Sequence, residues 1–292
     1  GTVYKKNSRE EAIALGKKIV SPKLDSFIKE SRKIAPDGKV AVHCWRGGMR
    51  SRAFAIHLKN HGFKEVLLIK GGYKAYRKLV LDSFTKKSKL FILGGFTGSG
   101  KTELLKTMAQ NGEQVIDLEG IANHKGSAFG GIDSGKQPTV EQFENNLFVA
   151  WNKMDLSKPI WLEDESHNIG RVKIPMNLFS KMRESTLFFL SIPKENRAGF
   201  LVGEYGNCDK NALKESISRI SKRLGDQNAR KAMVFIDEGN LYDAIIIVLG
   251  YYDKYYLKGM RKRDQEKVIS LFVENTDKDK NYFVLKEYLS DN

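Results

Sequence analysis

The sequence predicts an α/β protein with two domains, each built on a parallel sheet, the second ending in a helical part. Short apolar strands alternate with amphipathic helices along the 292 residues. Two of those strands run directly into glycine-rich loops, at 44–50 and 95–102. Loops at strand ends are typical of parallel sheets covered by helices. The polar stretch 85–89 separates the two patterns, so we predict domains over residues 1–85 and 86–292.

The first domain is predicted to begin with two amphipathic helices. Pro36-Asp37-Gly38 then makes the turn before the first strand. Ser51 is placed to cap the following helix, and Gly62 to end it. The predicted elements are helix 9–20, helix 23–34, strand 39–43, helix 51–61, strand 65–69 and helix 72–84.

The second domain is predicted to alternate strands and helices and then to become helical. The predicted strands are 90–93, 114–116, 159–162 and 186–192, with helix 101–110 directly after the second glycine-rich loop. From residue 210 to the end only helices are predicted, at 211–224, 228–238 and 242–257, followed by a basic tail.

The composition favours a polyanionic partner. Lys and Arg number 50 against 35 Asp and Glu, a formal net charge of +15. Such an excess suits nucleic acid or a phosphorylated substrate, although a solvated basic surface explains it equally well. With only two cysteines, a disulfide scaffold is not expected, and a reducing compartment such as the cytoplasm is. The apolar runs are too short for a membrane-spanning helix, so no membrane association is expected.

Cys44 is the first candidate for catalysis, because it lies between a predicted buried strand and a helix. Glycines in this loop let backbone N–H groups converge on the sulfur, and two arginines favour an anion there. We therefore predict a thiolate with a lowered pKa. The pattern His43-Cys44-x5-Arg50-Ser51 fits a cysteine phosphatase and a sulfurtransferase equally well. The predicted catalytic loop consists of Cys44, Arg46, Gly47, Gly48, Arg50 and Ser51.

The second glycine-rich loop, residues 95–102, fits the P-loop pattern G-x4-G-K-[ST] in full. A predicted strand precedes it and a helix follows, which is the context that a phosphate-binding loop requires. Lys101 is expected to reach the terminal phosphates and Thr102 to bind Mg²⁺. The predicted phosphate-binding residues are Gly95, Thr97, Gly98, Ser99, Gly100, Lys101 and Thr102.

An acidic residue at a strand end should complete the Mg²⁺ site. Asp164 is the first choice and Glu163 the second, with Asp117 and Glu119 as further candidates. A guanine-nucleotide site is disfavoured. Its would-be motifs, Asp117-x-x-Gly120 and Asn152-Lys153-x-Asp155, lie too close to Lys101, and the second follows a helical pattern.

The two loops together resemble those of the bacterial tRNA 2-selenouridine synthase family, in which a rhodanese-like domain precedes a P-loop domain. Residues 44–51 are similar to its C-x-R-G-G-[ML]-R-S loop and residues 94–102 to its G-x-T-G-x-G-K-T loop. Residues 117–130 resemble its D-L-E-G-x-A-N-H-x-G-S-x-F-G block. Further similarities are Gln137-Pro138, Phe143-Glu144-Asn145, Glu163-Asp164-Glu165-Ser166 and Tyr252-Asp253-x-x-Tyr256.

The resemblance departs from the family at the front of the chain. The family begins with a further rhodanese segment, whereas this sequence starts near a family Gly-Thr-x-Tyr-Lys stretch. The resemblance therefore implies a rhodanese-like domain that is incomplete at its N-terminus. A separate chain or an upstream portion of the gene is expected to supply the missing segment.

The resemblance also implies an activity. Such enzymes exchange sulfur for selenium in wobble 2-thiouridine of tRNA, with selenophosphate as donor and an S-geranylated intermediate made from geranyl diphosphate. On this basis Cys44 would carry a perselenide, the P-loop a diphosphate with Mg²⁺, and a selenophosphate-supplying enzyme would be a partner. The implied further site residues are Asp117, Glu119, Asn123, His124 and Ser127, and the implied tRNA contacts are Lys258, Arg261, Lys262 and Arg263.

Other activities stay open on the sequence. The cysteine loop alone would suit a phosphatase or a plain sulfurtransferase that does not need Lys101. The P-loop alone would suit a kinase or NTPase that does not need Cys44. A non-catalytic tRNA-binding fragment would show salt-sensitive binding and no chemistry.

Overall fold

The computed structural model describes residues 2–125 and 135–291. The chain divides into two compact units, Gly1–Leu79 and Val80–Asn292. The division falls inside a helix, six residues before the predicted boundary at 85. Within the described ranges, no helix is both long enough and apolar enough to cross a membrane.

The first unit is a small parallel pair of strands with helices around it. Its two strands pair in parallel from Lys39↔Glu65 to Val42↔Leu68. Ile28, Val42, Leu58 and Phe63 are among the residues of its core. The elements in order are α1 Thr2–Lys6, α2 Arg9–Val20, a 3-10 turn Ser21–Lys23, α3 Leu24–Ile34, β1 Lys39–Val42, α4 Met49–Asn60, β2 Glu65–Leu68 and α5 Gly72–Ser83.

The second unit is built on a five-stranded parallel sheet. The strands are β3 Lys89–Gly95, β4 Gln114–Ile116, β5 Pro159–Glu163, β8 Thr186–Ser191 and β9 Val268–Phe272, and a separate antiparallel hairpin joins β6 Asn168–Ile169 to β7 Val172–Lys173. The strand order of the sheet is β4-β5-β3-β8-β9, and all four neighbouring pairs run in parallel. The loops that follow β3, β4 and β5 therefore meet at one edge of the sheet.

Helices cover this sheet and extend into a helical subcore. That subcore packs α10 to α13 together through residues such as Leu201, Ile217, Ile236 and Val248. The helices are α6 Lys101–Gln110, α7 Leu118–Ala122, α8 Val140–Trp151, α9 Met176–Glu184, α10 Lys194–Tyr205, α11 Lys210–Leu224, α12 Asp226–Asp237, α13 Leu241–Met260 and α14 Lys278–Asp291. The predicted α/β class with parallel sheets and a helical C-terminal part is confirmed.

The prediction of helix alone after residue 210 is wrong at one place. Val268–Phe272 forms β9, which pairs with β8 from Leu187↔Val268 to Ser191↔Phe272. Leu271 is buried, whereas Phe272 is 82% exposed. A five-residue apolar run cannot be assigned to strand or helix by periodicity. The partner that makes it a strand lies some eighty positions earlier, at Thr186–Ser191.

Candidate active site

The Cys44 loop forms a cradle of hydrogen-bond donors around the sulfur. Cys44 lies just after β1, and Gly47 has a φ of 64°, which lets the chain turn back toward helix α4. The Gly48 amide donates to Cys44 Sγ at 3.2 Å, and the buried Ser51 hydroxyl donates at 3.3 Å. These contacts place an anion-stabilising site at the start of α4.

A second glycine turn, between β2 and α5, holds the Cys44 loop in place through backbone hydrogen bonds. The amides of Tyr73 and Lys74 donate to the carbonyls of Cys44 and Trp45, both at 2.9 Å. Gly72 has a φ of 64°, and a Cβ there would overlap the Cys44 carbonyl oxygen and the Gly47 nitrogen. Glycine is therefore required at position 72 for the two turns to approach this closely.

The cradle makes Cys44 acidic. Its pKa is lowered from 9.0 to about 6, most of all by the hydrogen bond from the Ser51 hydroxyl, with amide hydrogen bonds adding to the effect and burial opposing it. At neutral pH the sulfur is therefore mainly a thiolate. Arg46 and Arg50, which the sequence placed in the same site, are exposed.

In the second unit, residues 95–102 join the central strand β3 to α6 as a phosphate-binding loop. Gly98 and Gly100 have φ values of 83° and 70°, the left-handed region that glycine tolerates. The Lys101 ammonium donates to the Gly95 carbonyl at 3.1 Å. The Ser99 hydroxyl is buried and has no hydrogen-bond partner among the described residues. The predicted phosphate-binding residues thus surround the N-terminus of α6.

Two residues from α10 and α13 hold this loop from outside. The Arg197 guanidinium donates to the Thr97 carbonyl at 3.0 Å and to both Asp253 carboxylate oxygens at 3.0 and 2.8 Å. The Gly95 amide donates to Tyr256 Oη at 3.3 Å. Arg197 was not among the residues predicted from the sequence, and Tyr256 was predicted only as a similarity to the family. A lone buried arginine in a helical pattern carries no signal for its distant partners.

Three carboxylates converge beside Thr102. Its hydroxyl lies 2.9 Å from Glu163 Oε1 and 3.1 Å from Glu119 Oε2, so its single proton serves one of them at a time. Carboxylate oxygens of Glu119, Glu163 and Glu165 all lie within 4.8 Å of one another. The acidic run Glu163-Asp164-Glu165 was predicted to supply the metal ligand, but Glu165 was given no rank in it. Its amide donates back to the Glu163 carbonyl at 2.9 Å, a tight turn that residue spacing does not reveal.

Burial and mutual repulsion perturb this carboxylate group. Desolvation, followed by the charge of Glu119, raises the pKa of Glu163 to about 8. The same causes raise the pKa of Glu165 well above its ordinary value. Crowded acids beside a P-loop threonine are the donor set that a hard divalent cation prefers, so these residues fit Mg²⁺.

Asp164, the first choice for Mg²⁺, is not part of that group. Its carboxylate accepts from Arg263 at 2.5 Å and from Tyr256 Oη at 2.6 Å, and Arg183 lies 3.5 Å away. Side chains alternate along an extended strand, so Asp164 is directed opposite to Glu163. The prediction for Asp164 is corrected accordingly.

The same contact corrects one predicted tRNA contact. Arg263 is buried and its guanidinium is bound to Asp164 and to the carbonyls of Met182 and Arg183, so it is not available to phosphate. Lys258, Arg261 and Lys262 are exposed, as a phosphate contact requires.

The remaining candidates have structural positions at the edge of the site. Asp117 caps α7 by accepting from the Gly120 amide at 2.6 Å. Asn123 ends that helix with a φ of 49°, and its amide donates to the Lys136 carbonyl at 3.3 Å. Burial lowers the pKa of His124, whose Nδ1 is buried without a partner within the described ranges. Ser127 lies outside the described residues.

The guanine-nucleotide alternative fails on geometry. Asn152 is the C-terminal cap of α8, and Asp155 accepts hydrogen bonds from the amide and hydroxyl of Ser157 in the turn before β5. Neither residue follows a strand end, where base-recognising residues of a parallel sheet collect.

Comparison with known proteins identifies the family. Residues 88–286 match the family model described as the tRNA 2-selenouridine synthase AAA domain, well over half of the chain. The chain belongs to the tRNA 2-selenouridine synthase family. Residues 5–79 match the rhodanese-like domain. Both results confirm the resemblance drawn from the two loops, and with it an enzyme of the selenotransferase class.

Curated relatives extend this similarity along most of the chain. The tRNA 2-selenouridine synthase of Shewanella frigidimarina (strain NCIMB 400) is 34% identical over 309 residues, covering 92% of this chain and 81% of the relative. That of Shewanella woodyi is 33% identical with the same coverages. That of Hydrogenovibrio crunogenus is 32% identical, covering 90% and 81%. A crystal structure of an uncharacterized Eubacterium ventriosum protein aligns at a TM-score of only 0.32 and 14% identity, covering 70% of this chain and 100% of that one.

Proposed function

We propose that this chain modifies tRNA by replacing sulfur with selenium in wobble 2-thiouridine, through an S-geranylated intermediate. The proposal rests on one observation above all. A single chain carries an amide-lined thiolate in its rhodanese-like unit and a P-loop with adjacent carboxylates in its second unit. Sulfur or selenium chemistry and diphosphate chemistry each need one of these sites.

The P-loop supports the alkylation half of the reaction. The thiocarbonyl sulfur of the base attacks C1 of geranyl diphosphate, a C–S bond forms, and the C–O bond breaks with its electrons leaving on diphosphate. The amides of residues 95–102 and the Lys101 ammonium bind that diphosphate and stabilise its charge. Mg²⁺ would be held by Thr102 with Glu119, Glu163 and Glu165, and would add positive charge beside the leaving group.

The Cys44 cradle supports the selenium half. Alkylation turns the sulfur into a better leaving group. The selenium of selenophosphate attacks C2, the C2–S bond breaks and the sulfur departs as geranyl thiolate; water then cleaves the P–Se bond, which releases phosphate and leaves the selenium on C2. We assign Cys44 to the handling of selenium, because the Gly48 amide and the Ser51 hydroxyl stabilise an anion at this position. Selenophosphate is the proposed donor, and the enzyme that makes it is the proposed partner.

The charge of the chain suits the tRNA substrate. A formal net charge of +15 favours RNA phosphates, and Lys258, Arg261 and Lys262 are the proposed contacts on the second unit.

Nucleoside mass spectrometry tests the proposal. The full chain is incubated with 2-thiouridine tRNA, geranyl diphosphate, Mg²⁺ and selenophosphate, beside Cys44→Ala and Lys101→Ala, with Cys208→Ser as the matched cysteine control. We expect selenouridine from the wild type and the control. Cys44→Ala should accumulate the geranylated base, and Lys101→Ala should form neither product.

Two outcomes would overturn the assignment. Turnover of an aryl phosphate or thiosulfate that needs Cys44 but not Lys101, without selenouridine, would favour a phosphatase or plain sulfurtransferase. ATP hydrolysis that needs Lys101 but not Cys44 would favour a kinase or NTPase.

A further inference from the structure

Aromatic rings form a continuous row beside the Cys44 cradle. His43 stacks on Tyr73 with ring centroids 5.5 Å apart and planes 24° apart. Tyr73 stacks in turn on Tyr76 at 5.9 Å and 29°. The Trp45 indole meets Tyr73 at 5.9 Å and 48°. The residues on either side of the reactive cysteine thus both contact one tyrosine of α5.

This row lies outside the core of the first unit. The buried core consists of Ile28, Ala35, Val42, Leu58 and Phe63, with partly buried Val40, Phe54 and Val66 against it. Trp45 is 51% exposed and His43 is exposed, whereas Tyr73 and Tyr76 are half-buried. An exposed indole adds little to stability and offers an apolar face for binding.

The row is held in a defined relation to the thiolate. The Tyr73 amide donates to the Cys44 carbonyl at 2.9 Å, so a backbone hydrogen bond fixes Tyr73 next to the reactive cysteine. The Gly71-Gly72 turn that precedes Tyr73 has both residues at positive φ, 77° and 64°. The stacking surface is therefore built into the same pair of turns that forms the cradle.

Exposed basic side chains accompany the rings along the sequence. Side chains on α4, α5 and the two loops are basic and exposed, namely Arg46, Arg50, Arg52, Lys70, Lys74 and Lys78. Aromatic rings interleaved with basic side chains are the combination that binds single-stranded nucleic acid: rings stack on bases, and cations attract the phosphates.

We propose that Trp45 and Tyr73 form a stacking platform for the unpaired base that reacts at Cys44, with the basic side chains holding the adjacent phosphates. This inference rests on the proposed function, because the reacting base must come to the cysteine loop. Stacking on Trp45 positions the base by its face, which leaves its C2 substituent free to approach the sulfur. Trp45 and Tyr73 act as binding residues; Cys44 remains the catalytic one.

Fluorescence provides a direct test of the platform. Of the three tryptophans, Trp151 and Trp161 are 2% and 1% exposed, so a base stacked on the protein surface quenches Trp45. The probe is an anticodon stem–loop RNA with 2-thiouridine at the wobble position, beside the same RNA with an abasic wobble position. Each RNA carries a terminal fluorescein, whose anisotropy measures the affinity of the variants that lack Trp45. The variants are Trp45→Ala, Trp45→Phe and Tyr4→Ala, the last an exposed aromatic (61%) on α1 as matched control.

The expected results separate stacking from a structural role. Stacking is worth about 1–3 kcal/mol per base, so Trp45→Ala should weaken binding of the thiolated RNA about 5- to 150-fold. Trp45→Phe should recover part of that loss, Tyr4→Ala should change nothing, and binding of the abasic RNA should be insensitive to Trp45. The pH profile of Cys44 alkylation should stay unchanged in Trp45→Ala, which shows an intact cradle.

Equal affinity of wild type and Trp45→Ala for the thiolated RNA would overturn the platform, as would a shifted alkylation profile that accounts for the loss. These outcomes are distinct from failure of the proposed function. Selenouridine formed equally well by Trp45→Ala would reject the platform and keep the activity. Base-dependent quenching without any selenouridine would keep the platform and reject the activity.

Discussion

Replacing Ser51 with alanine should make Cys44 a weaker acid. The Ser51 hydroxyl, 3.3 Å from Sγ, is the largest single cause of a pKa near 6. A hydrogen bond to a charged group contributes about 1.5–3 kcal/mol, which corresponds to about one to two pKa units. Because Cys44 is partly exposed, solvent weakens the contact and the lower end applies. We therefore expect a pKa of about 7 in Ser51→Ala.

The rate of alkylation by iodoacetamide against pH measures this shift. The background is Cys208→Ser, which leaves Cys44 as the single thiol of the chain. Near pH 6 the thiolate fraction should fall from about one half to about one tenth, a roughly fivefold slower reaction. Near pH 9 the Cys44 thiol is almost fully ionised in both proteins, so their alkylation rates should agree.

The matched control separates hydrogen bonding from charge. Arg46 is exposed, and its backbone amide rather than its side chain is among the groups that lower the Cys44 pKa. Arg46→Gln should therefore shift the profile less than Ser51→Ala does. A larger shift in Arg46→Gln, or an unchanged profile in Ser51→Ala, would refute this account of the thiolate.

Two further predictions concern the second unit. Since burial raises the pKa of Glu163 to about 8, binding of Mg²⁺ must displace a proton, and the rise in melting temperature that Mg²⁺ produces should grow as pH increases toward 8. Glu163→Gln should flatten that pH dependence, and an unchanged slope in this variant would contradict the assignment of Glu163 to the Mg²⁺ site. Tyr256→Phe leaves the Gly95 amide and the Asp164 carboxylate each short of a partner, so it should lower the free energy of urea unfolding by about 1–3 kcal/mol and weaken the stabilisation by pyrophosphate. The exposed control Tyr255→Phe should do neither, and equal behaviour of the two variants would argue against a role of Tyr256 in holding the P-loop.

Some elements with local signals were predictable to the residue, whereas the helix predicted to begin at a Ser51 cap begins at Met49, after Gly48. Helices Arg9–Val20 and Lys101–Gln110 and strand Gln114–Ile116 have the predicted bounds. Ser8 caps the first of them by accepting from the Glu11 amide, and the P-loop fixes the start of the second. Helix caps and turns depend on interactions within a few residues, so they can be predicted from the local sequence.

Elements that depend on distant partners were not predictable. Strand Val268–Phe272 exists because β8 pairs with it, and Arg197 matters because Thr97 and Asp253 meet its guanidinium. The sequence around Val268–Phe272 resembles part of a helical tail, and the sequence around Arg197 resembles an ordinary helix interior. Tertiary pairing overrides local preference at such positions.

The acidic strand end shows where motif reasoning stops and geometry must begin. The run Glu163-Asp164-Glu165 offers three acids to a metal, and the motif alone led to the wrong first choice, Asp164. The geometry ranks them differently. Glu163 ends β5, and the Glu165 amide donates back to the Glu163 carbonyl at 2.9 Å, so that both carboxylates lie with that of Glu119. Asp164 instead meets Arg263 and Tyr256. The carboxylates of Glu163 and Glu165 thus belong to a group whose mutual repulsion a bound cation would reduce, whereas Arg263 neutralises the carboxylate of Asp164. The same strand end both builds the proposed Mg²⁺ site and, through Tyr256, ties α13 to the P-loop amide of Gly95.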